Sequence, residues 1–286
     1  MDRKAFVLVG LVFRKNLMLY QRLIEFVLRS RSFPGQSRVV NALLRWSAPH
    51  PSRLKPQGMQ VWLDPSEWLQ RDIMRLGGTE PFTTLLIERL LKKGDLYLDV
   101  GAHIGVMTLV ARQRVGCTGH VIAIEPQPYN CDRILENWLL NGYSNLSLYA
   151  AAASDLDSTV SFALQPKTDR ARLCITSEVD NNSPKVFVQT IRLDSIPRLK
   201  NCHSVKLLKV DVEGHELAVL RGLGSSIGSV RNVILELLGP VASIGEQHRE
   251  IIQLLRHSGF RLNDVTGRQW CEGCELVENN LWAERV

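Results

Sequence analysis

The chain has 286 residues, enough to bury a large core, with 45% hydrophobic and 22% charged residues, ordinary figures for a globular protein. Its net charge of +6 is lopsided: residues 1–58 hold eleven Lys and Arg against two acids, and the remainder holds 24 basic and 27 acidic residues. The body is therefore mildly acidic, which argues against a nucleic-acid partner gripped by a basic surface.

In chain order, the first 31 residues, "MDRKAFVLVGLVFRKNLMLYQRLIEFVLRSR", predict a basic amphipathic helix. Its apolar run, Ala5 to Phe13, is too short to span a bilayer and lacks a small-x-small cleavage site, so neither an anchor nor a signal peptide is expected. At ~100° per residue, Arg3, Lys4, Arg14, Lys15, Gln21, Arg22, Glu25 and Arg29 share an arc of about 120°. Two fates stay open for such a helix: packing on the catalytic body with its basic face in water, or peripheral contact of residues 1–31 with an anionic membrane. "RSFPGQSR" and "SAPHPSRLKPQG" read as turns or linkers. The expected division is a helical extension over 1–58 and a body over 59–286.

From residue 84 the pattern alternates. "TLLIERLLKKGD" predicts a helix closed by Gly94, "LYLDV" a strand, Ile104 to Arg114 a helix, and "HVIAIE" a second strand. "NCDRILENWLLNG" is a helix stopped by Gly142, and "NLSLYAA" a third strand. Residues 158–192 predict an extra hairpin, "VKLLKVDV" a long buried strand, and Gly214 to Gly222 a helix. "NVILELL", "HREIIQLLRHSGF" and a tail of two strands complete the chain. Alternation at this spacing means an α/β fold, a doubly wound parallel sheet with helices on both faces. Ligands of such sheets bind beyond the carboxyl ends of the strands, where the strand order reverses.

Four stretches follow strands and hold the candidate site: Asp99 to Gly105, Glu125 to Pro128, Ala151 to Asp155, and Asp211 to Glu216. Gly101 and Gly105 sit four apart, with Ala102 and His103 between them, and not in the G-x-G-x-x-G spacing that cradles a pyrophosphate. No Lys or Arg follows until Arg112. Asp99, ending its strand, suits the cationic amino group of a methionine moiety. Glu125, followed by Pro126, is placed to accept hydrogen bonds from two ribose hydroxyls. The loop therefore favours S-adenosyl-L-methionine over a dinucleotide.

The blocks "GDLYLDVGAHIGVMTLVA", "VIAIEPQPYN", "AAASD", "IRLDSI" and "VKLLKVDVEGHELAVLRGL", flanked by "GTEP" and "ILEL", resemble the FkbM family of methyltransferases in order and spacing from about Gly78 to Leu238. The resemblance implies a Rossmann-like class I methyltransferase fold: a mostly parallel seven-stranded sheet with an antiparallel edge strand. It also implies S-adenosyl-L-methionine as donor and O-methylation of sugars or natural products. Asp99, Gly101 and Gly105 match the family's cofactor loop, Glu125 its ribose acid, and Asp211, Glu213, Gly214 and Glu216 its second hallmark. His103 and His215 depart from the residues more usual there.

Methyl transfer to a hydroxyl needs an aligned oxygen and a proton acceptor. Glu213 or His215 is the candidate base, and Asp211 the residue that orients the cofactor or the base. The bland alternative is that Asp211 and Glu213 hold the loop and cap the next helix. Asp155 and Asp194 read as a turn residue and a helix cap.

The six cysteines (Cys117, Cys131, Cys174, Cys202, Cys271, Cys274) lack the spacing of a disulfide framework, and a reducing, cytoplasmic setting is the simpler expectation. Cys271 and Cys274 read as a reduced turn, and no ligand spacing for a metal appears. The expected acceptor is a small-molecule, sugar or glycolipid hydroxyl. Two rivals remain open: a nucleic-acid-modifying methyltransferase, and a non-catalytic cofactor-binding scaffold.

Overall fold

The computed structural model describes residues 19–30, 34–45, 47–55, 57–163, 185–200, 204–237 and 245–286. They form two compact units divided between Thr79 and Glu80. Arg3, Lys4, Arg14, Lys15, Cys174 and Cys202 lie outside the described residues.

The first unit contains α1 (residues 19–29), α2 (Gln36–Leu44), β1 (His50–Arg53), β2 (Gln60–Leu63) and α3 (Trp68–Leu76). Part of the polar stripe of α1 is satisfied inside the unit. Glu25 accepts a hydrogen bond from Ser52 Oγ at 2.5 Å, and Arg29 Nε donates to the Met74 carbonyl at 2.8 Å. Ile24, Val27 and Leu28 are buried, yet Leu19, Leu23 and Phe26 are 64%, 46% and 71% exposed. Within the unit, specific partners hold Glu25 and Arg29 of the expected polar arc.

The stretch read as a linker contains β1, paired antiparallel with β2 from His50↔Leu63 to Arg53↔Gln60. Its inward positions are His50 and Ser52, polar residues that break the apolar alternation by which a strand is recognised.

The second unit runs α4 (Pro81–Leu90), β3 (Leu96–Val100), α5 (Val106–Val115), β4 (His120–Ile124), α6 (Pro128–Leu140), β5 (Leu146–Tyr149), β6 (Ala152–Ala153), β7 (Thr159–Ala163) and β8 (Lys185–Ile191). It continues with α7 (Pro197–Lys200), β9 (Leu207–Val210), α8 (Glu216–Arg221), β10 (Asn232–Glu236), α9 (Glu246–His257), β11 (Phe260–Asp264) and β12 (Asn280–Arg285). Helix α4 stops three residues before the predicted end. Leu91 is extended and fully buried, and the Asp95 carboxylate takes the Lys92 N–H at 2.7 Å, offering the backbone an alternative to another helical turn.

Seven strands form one sheet in the order β11-β12-β10-β9-β3-β4-β5. β3, β4, β5, β9 and β10 are parallel, and β4 and β10 carry continuous buried apolar runs because both of their faces are covered. β12 is antiparallel to both β10 and β11, so the antiparallel strand expected at the edge stands one place in from it. The chain returns over residues 265–279 and enters antiparallel between β11 and β10, which needs no crossover. The predicted hairpin is present: β7 pairs antiparallel with β8, and β6 joins β8 in parallel.

Chain order reverses between β3 and β9: β4 and β5 add on one side of β3, while β9 and β10 lie on the other. The ends of these two neighbours are locked together. Asp211 N donates to the Val100 carbonyl at 3.0 Å, and a Cβ on Gly101, whose φ is +80°, would fall 1.7 Å from the Asp211 carbonyl oxygen. Only glycine fits there.

Candidate active site

β3 delivers Asp99 to the switch point, 1% exposed. One carboxylate oxygen, Oδ2, accepts from Thr108 Oγ1 of α5 at 2.6 Å. The Tyr97 hydroxyl, two residues earlier on the same face of the strand and fully buried, is the carboxylate's other partner. Burial raises the Asp99 pKa, and the Lys209 ammonium opposes that rise. After Asp99 the chain turns at Gly101, passes buried Ala102, and reaches His103 at φ +51° and Gly105 at φ +84°, the residue before α5. His103 is thus a non-glycine residue in left-handed backbone, a strain that concentrates at functional loops.

That strain serves a contact. His103 N donates to Glu125 Oε2 at 2.9 Å, while Gln127 N and Asn130 Nδ2 donate to Oε1 at 3.0 and 3.1 Å. Glu125 is therefore pinned at the end of β4 by the loops on both sides, with Pro126 between it and its own partner Gln127. A carboxylate has about four acceptor sites, and three are used. Burial pushes its pKa up to about 7, against those hydrogen bonds. Asn130 Oδ1, nearby and buried, lacks a partner among the described residues.

On the other side of the switch, β9 carries Lys209, 3% exposed in an otherwise apolar strand. Its ammonium donates to Asp211 Oδ2 at 2.7 Å. Burial alone would lower its pKa, but Asp211, Glu80 and Asp99 outweigh that and raise it, so the buried charge is retained. Burial acts against the Asp211 charge too, yet Lys209 and a hydrogen bond from Glu236 hold its pKa below the usual carboxylate range. Glu236, ending β10, is pushed the opposite way, to about 9, by burial and by the Asp211 charge. Glu80 enters from the start of α4, at φ +41°, and accepts from Asn280 Nδ2 at 3.0 Å.

The turn after β9 places the remaining candidates apart. Glu213 sits at φ +54° with its side chain exposed. Glu216 is buried and accepts from Gly214 N at 2.8 Å, holding the turn that starts α8. His215 points elsewhere: its Nε2 lies 3.0 Å from Ser154 Oγ, which is also 3.3 Å from Asp155 Oδ1. Burial lowers the His215 pKa, so the ring is neutral at neutral pH. Asp194 is engaged by Arg192 Nε at 3.0 Å.

Asp99, Gly101, Ala102, His103, Gly105, Glu125, Pro126 and Asp211 are thus gathered around one crevice. Lys209, Glu236 and Glu80 join them and were given no role from the sequence. The available signals were a lysine inside an apolar strand and acids in the "GTEP" and "ILEL" blocks. Among the described residues, no group of three or more His, Cys, Asp or Glu could hold a metal ion. Cys271 and Cys274, read as a reduced turn, are joined as a disulfide; Gly273 at φ +90° closes the turn that brings their Cα atoms to 5.6 Å.

The site is rich in acceptors. Its buried ammonium, Lys209, is committed to carboxylates.

A family model of the methyltransferase FkbM domain matches residues 99–262. The hexuronic acid methyltransferase AglP of Haloferax volcanii is 30% identical over 171 residues, covering 59% of this chain and 65% of that protein. Methyltransferase 1 of Beauveria bassiana is 28% identical over 158 residues, 49% of this chain and 63% of that one. The chain thus spans less than two thirds of either relative. A solved FkbM methyltransferase from Methylobacillus flagellatus superposes with a TM-score of 0.41 at 14% identity, over 75% of this chain and 60% of that chain.

Proposed function

The chain belongs to the FkbM methyltransferases, and from that premise we propose that it transfers a methyl group from S-adenosyl-L-methionine to a hydroxyl of a sugar or glycolipid. The observation that carries the donor half is the acceptor cluster at the strand ends: Asp99, buried at the end of β3, and Glu125, held by three donors at the end of β4 with acceptor capacity to spare. Asp99 would accept from the donor's ammonium, and the remaining acceptor site of Glu125, with Asn130 Oδ1, from its ribose hydroxyls. When bound, the donor supplies an electrophilic methyl group. What falls to the protein is to seat the acceptor oxygen behind it, exclude water and take a proton.

A sugar acceptor is supported by the likeness to the hexuronic acid enzyme of Haloferax volcanii. We place any peripheral membrane contact on residues 1–31. There the basic excess adjoins the exposed Leu19, Leu23 and Phe26, which would favour a lipid-linked acceptor. No described helix is long and apolar enough to cross a membrane.

The test is a calorimetric titration with S-adenosyl-L-methionine beside NAD and an Asp99→Ala variant. Micromolar binding of the first ligand alone, lost in the variant, supports the donor site. Binding of NAD with comparable strength defeats it. If neither ligand binds a folded protein, a non-catalytic scaffold that kept only the fold takes its place.

A further inference from the structure

The donor reading leaves the fate of the acceptor's proton open between Glu213 and His215, and the structure offers a third group. β10 and β9 are parallel neighbours with Leu235 opposite Val210, so Glu236 and Asp211 are the next residues on adjacent strands. Their carboxyl groups are hydrogen-bonded to each other. Two carboxylates cannot make that bond; one of them must carry a proton.

The surrounding groups decide which. On the β9 side stand Lys209, bonded to Asp211 at 2.7 Å, and Glu213 in the following turn. On the β12 side Glu236 pairs in register with Asn280, a neutral amide whose Nδ2 reaches Glu80 at 3.0 Å. The nearby ammonium is thus bonded to Asp211, and the other charges named as acting on Glu236, Asp211 and Glu213, are acids. The proton resides on Glu236. His215 is turned toward Ser154, and Glu213 lies at the exposed tip of its turn.

Resting on the donor reading above, we propose that Glu236 is the proton acceptor of the reaction, kept as a neutral carboxyl at rest and ionised when a sulfonium-bearing donor binds at the ends of β3 and β9. These strands are neighbours, so a positive charge added there acts on Asp211 and, one strand further, on Glu236. The charges close. Loss of the proton to solvent leaves one carboxylate opposite one sulfonium. In the transfer the methyl–sulfur bond breaks with its electrons going to sulfur, and an oxygen lone pair forms the new carbon–oxygen bond. The acceptor's O–H bond breaks with its pair staying on oxygen, and the proton passes to Glu236. A thioether, an ether and a neutral carboxyl remain, with the site returned to its resting charge.

The experiment needs no acceptor. Protons released on binding are counted by calorimetry at pH 8 in two buffers of different ionisation enthalpy, for the wild-type chain and Glu236→Gln. At that pH Glu125, titrating at about 7, is largely ionised, whereas Glu236, at about 9, still holds its proton. The expected result is about one more proton released per S-adenosyl-L-methionine bound by the wild type than by the variant. Infrared difference spectra of the wild type supply a second reading. The carbonyl stretch of a protonated carboxyl should fade on binding S-adenosyl-L-methionine and persist with S-adenosylhomocysteine, which lacks the positive charge.

Equal release from both proteins, or a carboxyl band that responds alike to the two ligands, overturns the proposal. If the variant does not fold, the infrared contrast decides alone. A wild-type protein that binds no S-adenosyl-L-methionine defeats the donor reading itself, and this inference falls with it.

Discussion

The two sides of the crevice are held together by different means. On the β3–β4 side each acid is fixed by nearby groups: Asp99 by Thr108, Glu125 by His103, Gln127 and Asn130. The three donors to Glu125 leave that carboxylate one acceptor site to spare. On the β9–β10 side the acids are fixed by one another and by Lys209, and their proton affinities are driven apart, Asp211 low and Glu236 high. Carboxyls so divided take different parts in acid–base chemistry. Under the proposals above, one side would receive the donor's cation and the other would hold and return a proton.

The comparison can be broken most severely at the seam. Gly101→Ala puts a methyl group 1.7 Å from the Asp211 carbonyl in a backbone conformation that L residues avoid. Overpacking and left-handed strain together should cost about 4 kcal/mol or more. The two sides would lose their common wall, and thermal denaturation should show a sharply lowered midpoint with donor binding abolished. Retained stability and affinity would mean that the strands are not locked as described.

Next in size is Lys209→Met. Removing one member of a buried ion cluster strands the others, typically at about 3–5 kcal/mol. The sign of its pH dependence is diagnostic. Without the ammonium, Asp99, Asp211 and Glu80 should have folded-state pKa values above their unfolded ones. The folded state then binds more protons, and stability falls as pH rises from the unfolded carboxylate range. Urea denaturation should therefore show the deficit large at pH 8 and reduced at pH 5. A deficit independent of pH would assign Lys209 a packing role only.

The same contrast explains what the sequence disclosed. The α/β alternation was legible because buried parallel strands read as apolar runs punctuated by the glycines that close turns, and the hairpin after β6 because its segments alternate or run β-branched; the seven-stranded sheet came from the resemblance to the FkbM family. The Asp99–Gly105 loop was legible because a short stretch of chain, strand end to helix start, builds its geometry. Glu236 was not, since its meaning comes from Asp211, which only the β9–β10 register brings alongside. Lys209 looked like an interruption in a strand, and became intelligible once Glu80, Asp99 and Asp211 surrounded it. β1 was missed for a related reason: His50 and Ser52 face inward through polar contacts, and polar residues carry no hydrophobic period. The Cys271–Cys274 bond depends on a turn at Gly273 that spacing alone does not reveal.

The one stabilising substitution sharpens the comparison most. Glu236 has its pKa raised to about 9 in the folded chain, mainly by burial and then by Asp211. An unfolded glutamate releases its proton near 4.3. Between those values the unfolded chain is the one that has lost the proton, so the native carboxyl is a growing liability as pH rises, and it reaches its full size near pH 9. Glu236→Gln keeps the shape and a hydrogen-bond donor toward Asp211 but cannot ionise. It should therefore melt close to the wild type at pH 4.5 and above it at pH 8 by several degrees or more, the linkage over that interval being on the order of 5 kcal/mol. Function and stability would then oppose each other at one residue, as groups retained for chemistry often do. A variant less stable than the wild type at pH 8 would place an ionised Glu236 in the resting site, and the two sides of the crevice would then not differ as described.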